Sequence, residues 1–456
     1  MHRSGLFRIS LVALLALLCA VGAFAAGGSE KGSSGGPVTL KFTYWGSPQE
    51  KAAVDASIQA FTAKYPNIKV NAIHIPTDYD TKITTMVAAN EAPDMGYLES
   101  ATIAFPLAEQ GKLVNLQELF DKEPDFAKTI LPNLGYYWAP GKMMGLGFAP
   151  EVFTLICNVD LFKAAGVAVP PDDPANGWTW DDFVKAAQQL TIDQNGKNAT
   201  QPGFDPTNIK QFGFNMGLWW GNWANFIYEN GGDFISADGK QFALNKPEAV
   251  DALQKVADLM NKYHVMPSPV QMKALPGTAT ALQTGKVAMA IDGQWSLLDV
   301  GKAGFTFNLA PLPKLKGKSQ TMIVAGAMGI FSSSQHIPEA WTMFKYLIDP
   351  AQVKDLITTG LWMPNNKNWY TSPDLLASWA QNNAGHPSGY KNAVLNQMLN
   401  NSVPGPTYYV MNYNKILDVV NPALDKVWLG TTTAQAAMDS IAAQAQALVN
   451  GRRPSK

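Results

Sequence analysis

The chain has 456 residues, a formal net charge of −1 and only 16% charged residues. That near-neutral balance excludes a protein that tracks nucleic acid, which needs a basic footprint, and the length exceeds a single hydrophobic core. Aromatics reach 11%, including 13 tryptophans; an indole is bulky to fit in a core but makes a good platform for a ligand.

Residues 1–25 are predicted to be a signal peptide. His2, Arg3 and Arg8 form a positive start, Ile9 to Val21 is apolar apart from Ser10 and Cys19, and Ala23-Phe24-Ala25 supplies a small-x-small cleavage pattern. The apolar run is too short to span a bilayer comfortably, and the Gly/Ser-rich stretch 26–37 reads as a flexible leader. Nothing beyond it approaches 18 uninterrupted apolar residues, so a soluble, exported mature protein is expected, periplasmic or extracellular. A lipid anchor at Cys19 is the alternative to a free form, although Leu18 stands where a lipoprotein signal places a small residue. Cleavage after Ala25 leaves Cys157 with no intramolecular partner, so the compartment is inferred from the leader.

The mature chain opens with period-two alternation at Val38, Leu40, Phe42 and Tyr44, a strand. Pro48 begins a helical pattern through Val54, Ile58, Phe61 and Tyr65, stopped by Pro66-Asn67. A strand over Ile68 to Ile75, a helix over Tyr79 to Ala89 and a short buried strand over Pro93 to Leu98 follow. This βαβαβ rhythm predicts a mostly parallel sheet flanked by helices. Further strands are expected at Phe153 to Asn158, Lys210 to Met216 and Val287 to Asp292, with helices at Trp180 to Leu190 and Asn245 to Tyr263. The last hundred residues look mainly helical. Two α/β lobes are the natural partition of so long a chain.

An ordered series of short motifs runs along this frame. It begins with Leu40-Lys41-Phe42-Thr43-Tyr44-Trp45-Gly46-Ser47 and continues through Ala92-Pro93-Asp94, Glu109-Gln110-Gly111-Lys112-Leu113 and Asn158-Val159-Asp160-Leu161-Phe162. Trp178-Thr179-Trp180-Asp181-Asp182-Phe183, Leu282-Gln283-Thr284-Gly285-Lys286-Val287 and Asp292-Gly293-Gln294-Trp295 follow, and Pro311-Leu312-Pro313 and Ala340-Trp341 close it. Each piece alone is weak, but together they cover almost the whole mature chain, which thereby resembles the extracellular solute-binding proteins of family 1, the maltose-binding-protein-like substrate-binding proteins of ABC transporters. The resemblance implies an α/β, two-lobed periplasmic-binding-protein fold of type II, each lobe a mostly parallel sheet flanked by helices, with ligand in the interlobe cleft. It places lobe 1 at 38–150 plus 312–350 and lobe 2 at 151–311 plus 351–456. Crossovers are then expected near Phe148 to Thr154, Phe305 to Leu312 and Ile348 to Leu356. The implied function is capture of a mono- or oligosaccharide by hinge closure and its delivery to the ABC permease subunits in the membrane, as a monomer. Binding of a polyamine, phosphoester or peptide is the alternative, and a glycan-cleaving enzyme a further one.

Sugars present polar edges and apolar faces, so indoles and carboxylates near strand ends are the candidate ligand contacts. Trp45 and Ser47 follow the first strand, Glu99 follows the third, and Glu151 resembles the family's acid at the first crossing. Trp219, Trp220 and Trp223 form a cluster with Asn222 beside them; three such indoles cannot all point one way, so some are structural. Trp295 resembles the family's stacking tryptophan, and Gly326 would let backbone approach a sugar, although Ala325 stands where the family often has a second glycine. Tyr408 and Tyr409 complete the set and, like Trp362 and Tyr413, are weaker candidates for which packing is the competing role. Trp178 and Trp180 are assigned to packing around a helix capped by Thr179, and Tyr136, Tyr137 and Trp138 also to packing.

Other chemistry finds little support. The carboxylates show no acid–base spacing, and the five histidines are dispersed with no HExxH. No G-x-S-x-G elbow, P-loop or G-x-G-x-x-G occurs. Asp193-Gln194-Asn195-Gly196-Lys197-Asn198 reads as a turn, lacking the closing Glu of a calcium loop. No metal, cofactor, nucleic acid or catalytic residue is expected.

Overall fold

The computed structural model describes residues 36–99, 103–131, 134–317, 319–381 and 383–454. The predicted signal peptide, Cys19 and nearly all of the leader lie outside the described residues. Among the described residues thirteen strands follow in chain order: β1 (Val38–Tyr44), β2 (Ile68–His74), β3 (Met95–Leu98), β4 (Gly135–Ala139), β5 (Lys142–Gly147), β6 (Glu151–Asn158) and β7 (Ile192–Asp193), then β8 (Ile209–Met216), β9 (Val287–Gly293), β10 (Phe307–Ala310), β11 (Thr321–Val324), β12 (Ala327–Ile330) and β13 (Ser402–Pro404).

Local sequence explains these elements. In β1, Leu40, Phe42 and Tyr44 turn into the core while Lys41 faces out. The helix Pro48–Lys64 starts with proline at its first turn, is capped by the Ser47 hydroxyl, and buries Val54, Ile58 and Phe61 on one face. Thr179 and Asp182 close a reciprocal capping box ahead of Trp180–Leu190. Trp180 is buried against Phe183 and Phe226, and Trp178 stacks on Phe162, so both pack as expected. The Asp193 carboxylate accepts backbone N–H groups of Asn195, Lys197 and Asp205 at 2.9–3.0 Å, and Gly196 takes φ +79°, as a self-contained turn requires.

Two sheets form the frame of the two lobes. The first has the order β2-β1-β3-β12-β5-β4, the second β13-β11-β6-β9-β8-β7, with β10 also paired to β6. They are mixed rather than mostly parallel. The βαβαβ start gives the parallel pairs β1–β2 and β1–β3, and β8–β9 and β11–β13 are also parallel. Strands that arrive from the other sheet, β6 and β12, run away from the cleft and pair antiparallel with β9 and β3, which run toward it. A period-two pattern reports a strand but not its direction, so the sequence carried no sign of this.

Two of the three crossings differ from expectation. The chain first passes between sheets at Phe148–Pro150, between β5 and β6. The second passage lies at Ala325-Gly326 and not at Phe305 to Leu312, because β10 and β11 both pair with β6 before the chain enters β12. The third is later than Ile348 to Leu356. Lys367 still donates its N–H to Thr129 on the first side, and the chain reaches β6 and β10 at Lys391–Asn396. Among the described residues no helix is long and apolar enough to cross a membrane.

Candidate functional site

The ends of β1, β3 and β9 and the start of β6 meet around a cavity of about 1100 Å³. The carboxyl ends of strands are where open α/β sheets expose loops to ligands. From the first side come Trp45, Ser47, Glu50 and Glu99, joined by Trp362; from the second come Glu151, Trp219, Trp220, Asp292, Trp295 and Asp299.

The aromatic groups are held by specific neighbours. Trp45 stands edge-on to Tyr79 and Tyr97, with ring centroids 5.1 and 5.0 Å away. Trp362 tilts against Phe148 at 4.9 Å. On the opposite wall Trp219 precedes the helix Trp220–Glu229 and keeps 41% of its surface exposed, far more than a packed indole needs. Its ring lies 6.3 Å from that of Trp295, inclined by 58°, and Trp295 is propped edge-on by Phe153 at 5.5 Å. Gly326 faces Trp45 and Phe148: a methyl group there would come within 2.9 Å of the Trp45 ring and 2.7 Å of Phe148.

The walls meet where Ser47 Oγ donates to Asp299 Oδ1 at 3.3 Å. Around this contact lie five carboxyl groups, Glu50, Glu99, Glu151, Asp292 and Asp299, against one lysine, Lys302; among the described lining residues there is no arginine. Burial pushes Glu50 up to about 8, reinforced by Asp299, and pushes Glu99 up to about 8, reinforced by Asp80. Glu151 is driven well above the usual carboxylate range by burial and by Glu50. Asp292 is also raised by burial, tempered by hydrogen bonds from Thr278 Oγ1 at 2.6 Å and its neighbour Gly293 N–H at 2.8 Å. Carboxyl groups that keep their proton near neutrality offer a donor and an acceptor together, the pairing a hydroxyl group needs.

Of the residues singled out from sequence, Trp45, Ser47, Glu99, Glu151, Trp219, Trp220, Trp295 and Gly326 line this cavity, as does Trp362. Trp223, Asn222, Tyr408 and Tyr409 do not. Trp223 is 1% exposed and stacks on Phe234 inside the second lobe, because it sits one helical turn after Trp219–Trp220 on the buried face. Asn222 is buried and donates to the Gly217 carbonyl at 3.0 Å, tying down the helix start. Tyr408 stacks on Tyr136 at 4.3 Å. Tyr409 bonds to Tyr228 and to Asp233, with the Arg452 guanidinium over its ring. Tyr413 is buried in the second core beside Trp220 and Phe234.

Sequence reasoning passed over Glu50, Asp292 and Asp299 as wall residues. Glu50 lies three residues after Ser47, on the first turn of the capped helix; Asp292 directly precedes the glycine before Trp295, and Asp299 follows that indole by one helical turn. Each therefore sits within one turn of a residue already singled out, a signal that proximity on a helix start would have supplied.

Comparison with known proteins bears on this geometry. The family model of the bacterial extracellular solute-binding proteins matches residues 45–354. The arabinooligosaccharide-binding protein of Bacillus subtilis is 27% identical over 266 residues, a match that spans 57% of this chain and 56% of that protein. An ABC substrate-binding protein from Listeria monocytogenes, solved in complex with cycloalternan, superposes with a TM-score of 0.77 at 24% identity, covering 90% of this chain and 98% of that one. A maltose-bound protein from T. maritima gives a TM-score of 0.72 at 22% identity over 90% and 100% of the two chains. The two-lobed fold is thus shared with these structures, and the chain belongs to the bacterial extracellular solute-binding protein family.

Proposed function

We propose that this protein is the substrate-binding component of an ABC importer, that it captures an oligosaccharide in the interlobe cleft, and that it is a binding protein rather than an enzyme. The observation that carries the reading is that indoles from both walls, Trp45 and Trp362 on the first and Trp219 and Trp295 on the second, line one cavity together with five carboxyl groups. Indoles cover the apolar faces of a sugar ring while the carboxyls pair with its hydroxyl edges. The volume of about 1100 Å³ lies just above the roughly 300–1,000 Å³ range of small-molecule sites, which favours several sugar units over one. With five carboxyl groups against the single lysine Lys302, the described wall offers a phosphoester's charge little to pair with.

In this reading Trp45, Ser47, Glu99, Glu151, Trp219, Trp220, Trp295 and Gly326 contact the sugar, joined by Glu50, Asp292, Asp299 and Trp362. The closed form docks as a monomer on the permease subunits of the membrane complex. The N-terminal leader exports it to the periplasm or the cell exterior, free after cleavage at Ala25 or, where cleavage falls before Cys19 instead, tethered through that residue.

The excess of carboxyl groups favours a polyamine as the second reading. Thermal shift followed by titration calorimetry separates the two. Maltotriose, arabinotriose and cyclic glucans are expected to raise the melting temperature and bind in the micromolar range. A shift with spermidine and none with any sugar would overturn the carbohydrate reading.

A further inference from the structure

We propose that Gly221 and Gly293 are positioning residues, present so that the indoles of Trp219 and Trp295 can lie down over them and hold their place in the cleft wall. The inference rests on the reading that these two rings receive the sugar, and it assigns a task to two residues that touch it through nothing of their own.

A Cβ built on Gly293 would lie 2.0, 2.1 and 2.3 Å from Cη2, Cζ3 and Cζ2 of Trp295. One built on Gly221 would lie 2.2, 2.4 and 2.6 Å from the same region of Trp219. Carbon atoms in ordinary contact stay about 3.5 Å apart or more, so either methyl would displace its ring by about 1.5 Å. The rings reach their glycines from opposite directions along the chain. Trp219 folds forward over the second residue after it, and Trp295 folds back over the second residue before it. The result is two inclined planes 6.3 Å apart.

The backbone itself does not ask for glycine at either place. Gly293 has φ −71° and ψ 153°, a conformation open to any residue, at a helix N-cap where Ser, Thr, Asp or Asn would bind an orphan N–H. Gly221 lies inside the helix Trp220–Glu229 and is not among the left-handed glycines of the chain, so alanine would be the better helix former. Gly196 and Gly239, by contrast, have φ of +79° and +73° and serve turns. At both positions it is the indole lying over the glycine, and not the backbone conformation, that leaves no room for a side chain.

The test is a set of double-mutant cycles on the full mature protein, built on G293A, W295A and G293A/W295A, with G221A, W219A and G221A/W219A as the second set. Near-ultraviolet circular dichroism and acrylamide quenching read the rings without any ligand, and calorimetry with maltotriose reads the cleft. G293A is expected to change the tryptophan dichroism and to weaken maltotriose binding at least tenfold. G293A/W295A is expected to match W295A in both, because the methyl then has no ring to displace; additive losses in the double variant would overturn the proposal, as would a G293A spectrum identical to the parent's. Should G293A fail to fold, recovery of folding in G293A/W295A supports the seat, and failure of both overturns it. Altered dichroism in G293A with no sugar bound by the parent would leave the rings seated and refute the carbohydrate reading instead.

Discussion

Removing the Trp295 ring isolates the stacking contribution. The indole is propped on Phe153 and spans the second wall of the cleft, so Trp295→Ala takes away a ligand platform more than a core group. A sugar face laid on one side of an indole removes on the order of 80 Å² of apolar surface from water, counted over both partners, or about 2 kcal/mol at roughly 25 cal/mol per Å². Since about 1.4 kcal/mol is tenfold in dissociation constant, the expected loss is roughly thirtyfold. Titration calorimetry with the best sugar from the screen at 25 °C measures it directly, and far-ultraviolet dichroism checks that the fold is retained. Unchanged affinity in a folded Trp295→Ala protein would refute the stacking argument, because the area estimate leaves no room for a ring that touches the sugar and contributes nothing.

Trp223→Ala should do the reverse: this ring is 1% exposed among core side chains, so its loss should cost about 3–5 kcal/mol of stability by denaturant unfolding and leave the affinity of the folded protein within a factor of two or so. Glu50 and Glu99 are raised from 4.5 to about 8 in the folded state, so between those values the native protein holds more protons than the unfolded chain and stability falls as pH rises. Thermal melts should therefore decline from pH 5 toward pH 8.5, with a shallower slope in Glu50→Gln and Glu99→Gln; parallel slopes would count against the burial of these acids. Small-angle scattering should show Trp45→Ala closing less completely than Trp295→Ala at saturating sugar, and equal radii would argue against separate roles for the two walls.

Much of the frame was legible in the chain because its signals are local. The edges of β1 and of the helix Trp180–Leu190 coincide with the alternation and the capping motif that announce them. Candidate residues placed directly after strands, such as Trp45 and Glu99, reached the cleft because a strand end fixes a side chain near the sheet edge. What was not legible was strand direction and the placing of the later crossings, which depend on partners distant in sequence. Whether β12 pairs with β3 parallel or antiparallel is decided by the side from which the chain returns, 229 residues after Leu98 in the pair Ala327–Leu98. Trp223 differs from Trp219 by four positions, just over one turn, yet one indole is capped off by Phe234 while the other ends at the helix start, facing open space. Spacing places both on one side of a helix; the depth of each along the helix axis decides its environment.

That difference in depth bears on closure. A ligand shifts an equilibrium between forms by no more than its difference in affinity for them, and moving it from 1:99 to 99:1 takes about 5.5 kcal/mol of such difference. In the proposed reading Trp219, Trp220 and Trp295 share one wall and meet the sugar whether or not the lobes have closed, so they set affinity more than closure. The opposing wall supplies Trp45, Trp362, Glu50 and Glu99, whose contacts exist once the gap narrows. The Ser47–Asp299 hydrogen bond also spans the walls, and one such bond is worth about 1 kcal/mol net, well short of what closure requires. A sugar long enough to touch both walls at once supplies the rest through the first-wall indoles and acids, and a solute small enough to rest on the second wall alone binds without closing the protein.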